Sequence, residues 1–164
     1  MMLIRLIFAI ALLIPAIGPA LAADAVFPPG IRVGITPLVG LSRAKTFAGF
    51  ETEDNGVKVL MTELPADAYT EVSNAFKNNP AGAGGVKPES IETASGLAYY
   101  TIESGKDGTT NVRRYSMILP GGAFSGYIAV QVPENASKIY TDDAVRLMFS
   151  SAKVRKEFPV EEQL

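Results

Sequence analysis

Residues 97–132 constrain the fold more than any other part of the chain. Three runs of strand-forming residues alternate there with two strong turn signals. Leu97 to Glu103 holds Tyr99, Tyr100, Thr101 and Ile102, all residues that suit a pleated surface. Ser104-Gly105-Lys106-Asp107-Gly108 then turns the chain. Asn111 to Leu119 returns with Arg113, Tyr115, Met117 and Leu119 on one face and Val112, Arg114, Ser116 and Ile118 on the other. Pro120-Gly121-Gly122 turns it again, and Phe124 to Val132 follows with Ile128, Val130 and Val132 directed to a core. This pattern predicts a meander of three antiparallel strands joined by hairpins. A sheet with one apolar face must be covered, so the rest of the chain has to supply the lid.

The flanking segments fit that demand. Arg32 to Ile35 is a short strand candidate stopped by Pro37. Phe47–Glu53 and Val57–Glu63 read as a hairpin around Asp54-Asn55-Gly56, whose Asn-Gly pair favours a tight turn with positive φ. Pro65 is placed to open a helix, with Ala68, Tyr69, Val72, Ala75 and Phe76 as its apolar stripe. It ends near Asn78-Asn79-Pro80, and the glycine-rich run 81–85 is a loop. Glu89 to Ala94 is a short polar strand. A second helix starts at Thr141 as N-cap, with Tyr140 and Val145 as a hydrophobic staple. Val145, Met148, Phe149 and Ala152 form its buried stripe. The charged end, 156–164, is expected to fray. The order predicts one α+β domain over residues 23–155, an antiparallel sheet flanked by helices.

Residues 1–22 read as a secretory signal. Arg5 precedes an apolar run from Leu6 to Ile17, and Ala20-Leu21-Ala22 supplies the small residues of a cleavage site after Ala22 or Ala23. The apolar run is too short to span a bilayer. The expected location is periplasmic or secreted, with no stable membrane span after cleavage. The whole chain carries 15 basic and 17 acidic residues. Loss of Arg5 leaves the mature domain weakly acidic, which disfavours nucleic acid as a partner.

Two absences narrow the chemistry further. The 164 residues include no Cys and no His. Disulfides, thiolate or imidazole metal ligands and His-dependent nucleophiles are therefore excluded. Three glycine or serine motifs fail on context. Gly105-Lys106-Asp107 joins two strands and lacks the Ser or Thr of a phosphate loop, and Gly82-Ala83-Gly84-Gly85 opens no helix. Ser125-Gly126 has Ala123 where a nucleophile elbow needs Gly. Glu51 and Glu53, expected on one strand face, and the adjacent Asp54 offer an alternative: a carboxylate- or metal-dependent hydrolase. The preferred candidate site is the set Tyr99, Tyr100, Arg113, Arg114, Tyr115 and Tyr127 on adjacent meander strands, since Arg and Tyr favour binding surfaces. The best-placed part of it is expected on the face carrying Tyr100, Arg114 or Tyr115. No cofactor and no metal is expected.

The order of these elements resembles a known family. Phe47-Ala48-Gly49-Phe50, Gly56-Val57-Lys58-Val59 and Thr62-Glu63-Leu64-Pro65 before a helix are similar to the opening of PsbP-like domains. The tyrosine-bearing strand 97–103, the meander through 132 and the closing helix at 142–152 fit as well. The superfamily includes photosystem II PsbP proteins, a Ran-binding nuclear import factor and exported bacterial proteins of the DcrB type. The resemblance implies an α/β/α sandwich and a non-enzymatic role, since members of the superfamily mostly bind proteins or assist assembly; the expected function is an exported domain that binds an envelope protein or a small ligand. It carries over no catalytic or metal-binding residue.

Overall fold

The structure, a computed structural model, describes residues 24–163; the expected signal segment lies outside the described residues. A seven-stranded antiparallel sheet has the order β2-β3-β4-β8-β7-β6-β5. Its strands are β2 (Ser42–Arg43), β3 (Gly49–Glu51), β4 (Lys58–Pro65), β5 (Glu89–Thr93), β6 (Gly96–Asp107), β7 (Thr110–Pro120) and β8 (Phe124–Pro133). A small second sheet pairs β1 (Val33–Gly34) with β9 (Lys153–Val154). Helix α1 spans Ala66–Asn78 and α2 spans Asp142–Ser150.

The predicted meander is present, with Tyr100 opposite Met117 and Met117 opposite Ile128. β4 joins its far side, placing Met61 opposite Ile128 and Val59 opposite Val130. One face of the sheet therefore presents Val59, Met61, Tyr100, Tyr115, Met117, Leu119, Ile128 and Val130, all buried. Val33, Ile35 and the α2 residues Val145, Met148 and Phe149 cover this inner face and belong to the same core. Gly126 makes this close cover possible: a Cβ there would meet the Leu119 side chain at 2.5 Å and Val33 at 3.1 Å. Helix α1 lies on the opposite, outer face, where Tyr69 and Phe76 pack on Tyr99 with ring centroids 5.8 and 4.9 Å apart. The result is the expected α/β/α arrangement.

The second helix matches its sequence signals closely. Thr141 accepts the Ala144 N–H at 3.1 Å as an N-cap, and Tyr140 and Val145 are both buried. The first helix departs from its signals in two respects. Pro65 is its N-cap rather than its first residue, and it offers no side-chain cap. Ser125, fully buried, caps the helix instead: its Oγ accepts the Tyr69 N–H at 3.0 Å and lies 2.8 and 3.1 Å from the Pro65 and Ala66 carbonyls. The expected stripe is also rotated. Tyr69, Ser73 and Phe76, at i, i+4 and i+7, face the sheet. Val72 and Ala75 are left exposed.

Two further expectations need correction. The first hairpin strand is only Gly49–Glu51, because the turn is longer than Asn-Gly alone. Thr52 N–H bonds the Val57 carbonyl, and Asp54 holds the loop by accepting from Thr52 Oγ1 at 2.6 Å and Gly56 N–H at 3.0 Å. Within this turn Asn55 alone takes positive φ, at 58°. This is the Asx-type turn that a short acid favours. The charged end is not frayed over 156–163. Arg155 sits 4.8 Å over the Phe27 ring and 5.5 Å from Phe158, bonds the Ile31 carbonyl, and pairs with Glu162 at 2.7 Å. Glu162 in turn accepts the Gly30 N–H. Arg32, 4.1 Å over Phe124, adds a second cation on an aromatic face. Aromatic residues at 27 and 158 thus tie both ends of the described chain together. A count of charged residues carries no sign of such pairing.

Candidate functional site

Strand alternation divides the six tyrosines and arginines between opposite faces. Tyr100, Arg113 and Tyr115 lie on the inner face, and Tyr99, Arg114 and Tyr127 on the outer. The face expected to carry Tyr100, Arg114 or Tyr115 is thus two faces: Tyr100 and Tyr115 share the inner one, and Arg114, consecutive with Tyr115 in one strand, lies on the outer.

On the inner face the three residues are occupied by α2. Arg113 donates to both Asp142 carboxylate oxygens, Nε to Oδ1 at 2.6 Å and a terminal nitrogen to Oδ2 at 2.7 Å. The Tyr115 hydroxyl donates to Oδ1 at 2.6 Å. The guanidinium and the phenol hold the Asp142 carboxyl down at about 2. Burial, and then the neighbouring carboxylate, push the Tyr115 hydroxyl well above the ordinary phenol range. Tyr100 is used in the same way: its hydroxyl donates to Glu89 and accepts Arg146 Nε at 2.8 Å. These groups fasten α2 to the sheet. Asp142 and Arg146 carry no signal in the sequence beyond their place on a helix. Their partners become visible only when α2 is laid over β7 and β6.

The outer face is different. Tyr99, Ile118 and Tyr127 form one row across β6, β7 and β8, and Thr101 and Ser116 form the row beside it. Tyr127 donates to Ser116 Oγ at 3.2 Å. With Leu64 and Val72 as a wall, these residues line a groove of about 290 Å³ between α1 and the sheet. It continues past Val72, Pro88 and Thr101 into a second hollow of about 450 Å³, lined by Ala75, Phe76, Val86 and Glu103. The rotated stripe of α1 is what opens this space, since Val72 is 36% exposed at its edge. Of the six residues expected from sequence, Tyr99 and Tyr127 form its floor and Tyr100 also borders it. Leu64, Val72, Thr101, Ser116 and Ile118 were missed, because an apolar helix stripe gives no sign that it seats off-centre. Arg114, the sixth, folds along the sheet surface, bonding Gln131 and the Lys106 carbonyl.

The acidic alternative does not assemble. Glu51 and Glu53 line a broad open hollow of about 860 Å³ with Arg43, Lys45 and Lys58. Glu53 lies in the turn rather than on the strand with Glu51. Asp54 is committed to its own turn, where the Thr52 hydroxyl and then the Gly56 N–H lower its pKa. Among the described residues no group of three or more acids is placed to hold a metal ion. No buried side-chain polar atom among them lacks a hydrogen-bond partner.

Neither a family model nor a curated protein sequence matches this chain. Solved structures do. A protein from Bacteroides thetaiotaomicron VPI-5482, solved at 1.50 Å, is 13% identical with a TM-score of 0.55, over 82% of this chain and 49% of that one. This chain thus spans about half the length of that protein. Cyanobacterial PsbP from Synechocystis sp. PCC 6803 is 12% identical with a TM-score of 0.42, over 76% of this chain and 87% of that one. The Saccharomyces cerevisiae Ran-binding protein Mog1p is 12% identical with a TM-score of 0.40, over 75% and 90%. At 13% identity the likeness to the Bacteroides protein concerns the fold alone.

Proposed function

We propose that this is a non-enzymatic binding domain of the cell envelope, and that its site is the groove between α1 and the outer face of the sheet. The groove itself is the observation that carries the reading. It is an apolar cleft with a few hydroxyls on its floor, the usual character of a binding site. The inner-face polar residues are spent on holding α2, so they offer nothing comparable. A sequence without His or Cys has few catalytic options, which favours binding over chemistry. The signal-like sequence of residues 1–22 supports export. Among the described residues no helix is long and apolar enough to cross a membrane.

A neutral environment-sensitive dye, N-phenylnaphthylamine, tests the groove. Its fluorescence should rise on the native protein and fall to background with Val72→Glu, while thermal stability stays unchanged. Equal fluorescence from the two proteins places the apolar site elsewhere. Cell fractionation followed by N-terminal sequencing tests export: the mature chain should begin at Ala23 or Asp24. A cytoplasmic chain retaining residues 1–22 removes the envelope from the reading.

A further inference from the structure

The groove ends at an open sheet edge. β5 pairs with β6 only as far as Glu89 opposite Tyr100, whereas β6 runs on to Asp107. The ladder stops because the next residue is Pro88, which has no N–H to donate. Pro88 lies beside Thr101. At the far end, Arg114 crosses Gly105 and takes the Lys106 carbonyl at 2.8 Å. Between these two limits, Ile102 to Gly105 has β7 on one side and no strand on the other. Glu103 sits in the middle of this window, on the outer face and exposed; Arg114 stands opposite it on β7, but its guanidinium is turned to Gln131 and the Lys106 carbonyl, so the Glu103 carboxylate has no ion pair among the described residues. It lines the same hollow as the apolar side chains Val72, Ala75, Phe76 and Val86.

We propose that the partner is an extended peptide segment that adds as a strand along Ile102–Gly105, with a Lys or Arg opposite Glu103. A strand in that position continues the line of β5 and takes up the free backbone groups of β6. Its residue opposite Glu103 projects on the outer face into the hollow. A long basic side chain fits there in two respects: its methylene stem lies on the apolar lining and its charged head meets the carboxylate. A purely apolar side chain would desolvate Glu103 and offer it no charge, leaving only Arg114, which is held by Gln131 and the Lys106 carbonyl. This inference rests on the groove as the binding site and adds the form and charge of what binds.

The test is a random linear heptapeptide library selected against the purified protein. Recovered peptides should carry a basic residue in an alternating, strand-like pattern, and synthetic copies should bind in solution. Two changes should each weaken binding more than about tenfold. One is N-methylation of alternate peptide nitrogens, which keeps the side chains and removes the ladder. The other is Glu103→Lys, an exposed change whose folding is checked by circular dichroism. Backbone amide signals of 102–105 should shift on binding. Failure to recover any basic peptide overturns the proposal, as does binding indifferent to N-methylation or to Glu103→Lys. Peptides that Val72→Glu displaces but that ignore both edge changes would leave the groove as the site and refute strand addition alone.

Discussion

Replacing Asp142 with Asn removes the charge that α2 presents to the sheet while keeping the shape of the side chain. In the folded protein the carboxylate accepts two bonds from Arg113 and one from Tyr115, at 2.6–2.7 Å. A carboxyl whose pKa falls from 3.8 to about 2 on folding contributes at most roughly 2.5 kcal/mol at neutral pH. Solvent screens part of this, since the Asp142 side chain is 32% exposed and that of Arg113 40%. About 1–1.5 kcal/mol is the reasonable share after that discount. An acid in the first turn of a helix adds roughly 0.3–1 kcal/mol from the helix dipole. The expected loss for Asp142→Asn is therefore about 1.5–2 kcal/mol, or roughly 4–8 °C in Tm for a domain of this size. The folded pKa is depressed, so the contribution is complete above the unfolded value of 3.8 and disappears as pH falls through about 2. Urea unfolding followed by circular dichroism at pH 7, 5 and 3 measures this directly. The gap between native and variant should be constant from pH 7 to 5 and fall by roughly half at pH 3. A gap that is already absent at pH 7, or that stays the same at pH 3, refutes the assignment of Asp142 as the charged anchor of α2.

Two other changes test the same physical reading. Ser125→Ala leaves the Tyr69 N–H and the carbonyls at the start of α1 without their buried partner, and should cost about 1–3 kcal/mol in urea unfolding; a loss below about 0.5 kcal/mol would mean that water replaces the hydroxyl. Arg155→Ala removes the cation between Phe27 and Phe158 together with the Glu162 pair, and limited proteolysis should then release the segment after Val154 from an otherwise folded domain, whereas equal protease resistance would show that the end is held by other contacts.

The parts of this protein legible in its sequence are those fixed by local chemistry. The meander followed from alternation and turn residues, because a one-residue slip would turn Met117, Ile128 and Val130 away from the core. The start of α2 followed from Thr141 and the staple of Tyr140 with Val145. What the sequence hid depends on contacts distant in the chain. Ser125 reads as part of a failed nucleophile motif until β8 brings it under α1. Val72 reads as core until the helix is seen to seat on Tyr69, Ser73 and Phe76. The candidate residues were half legible for the same reason. Alternation places Tyr99 and Tyr127 on a common face only once the register of three strands is known, and it separates Arg114 from Tyr115 at once. The orderly C-terminal end was missed because cation–aromatic stacking between Arg155, Phe27 and Phe158 spans most of the chain.

Site-specific photo-crosslinking in the cells that make this protein tests the central claim most directly. A photoreactive residue at position 72, on the rim of the groove, is compared with one at position 147, where Leu147 is 69% exposed on the outside of α2. The groove reading predicts a discrete crosslinked product from position 72 in the envelope fraction and none from position 147. Crosslinking from position 147 alone, or equally from both positions, would contradict it.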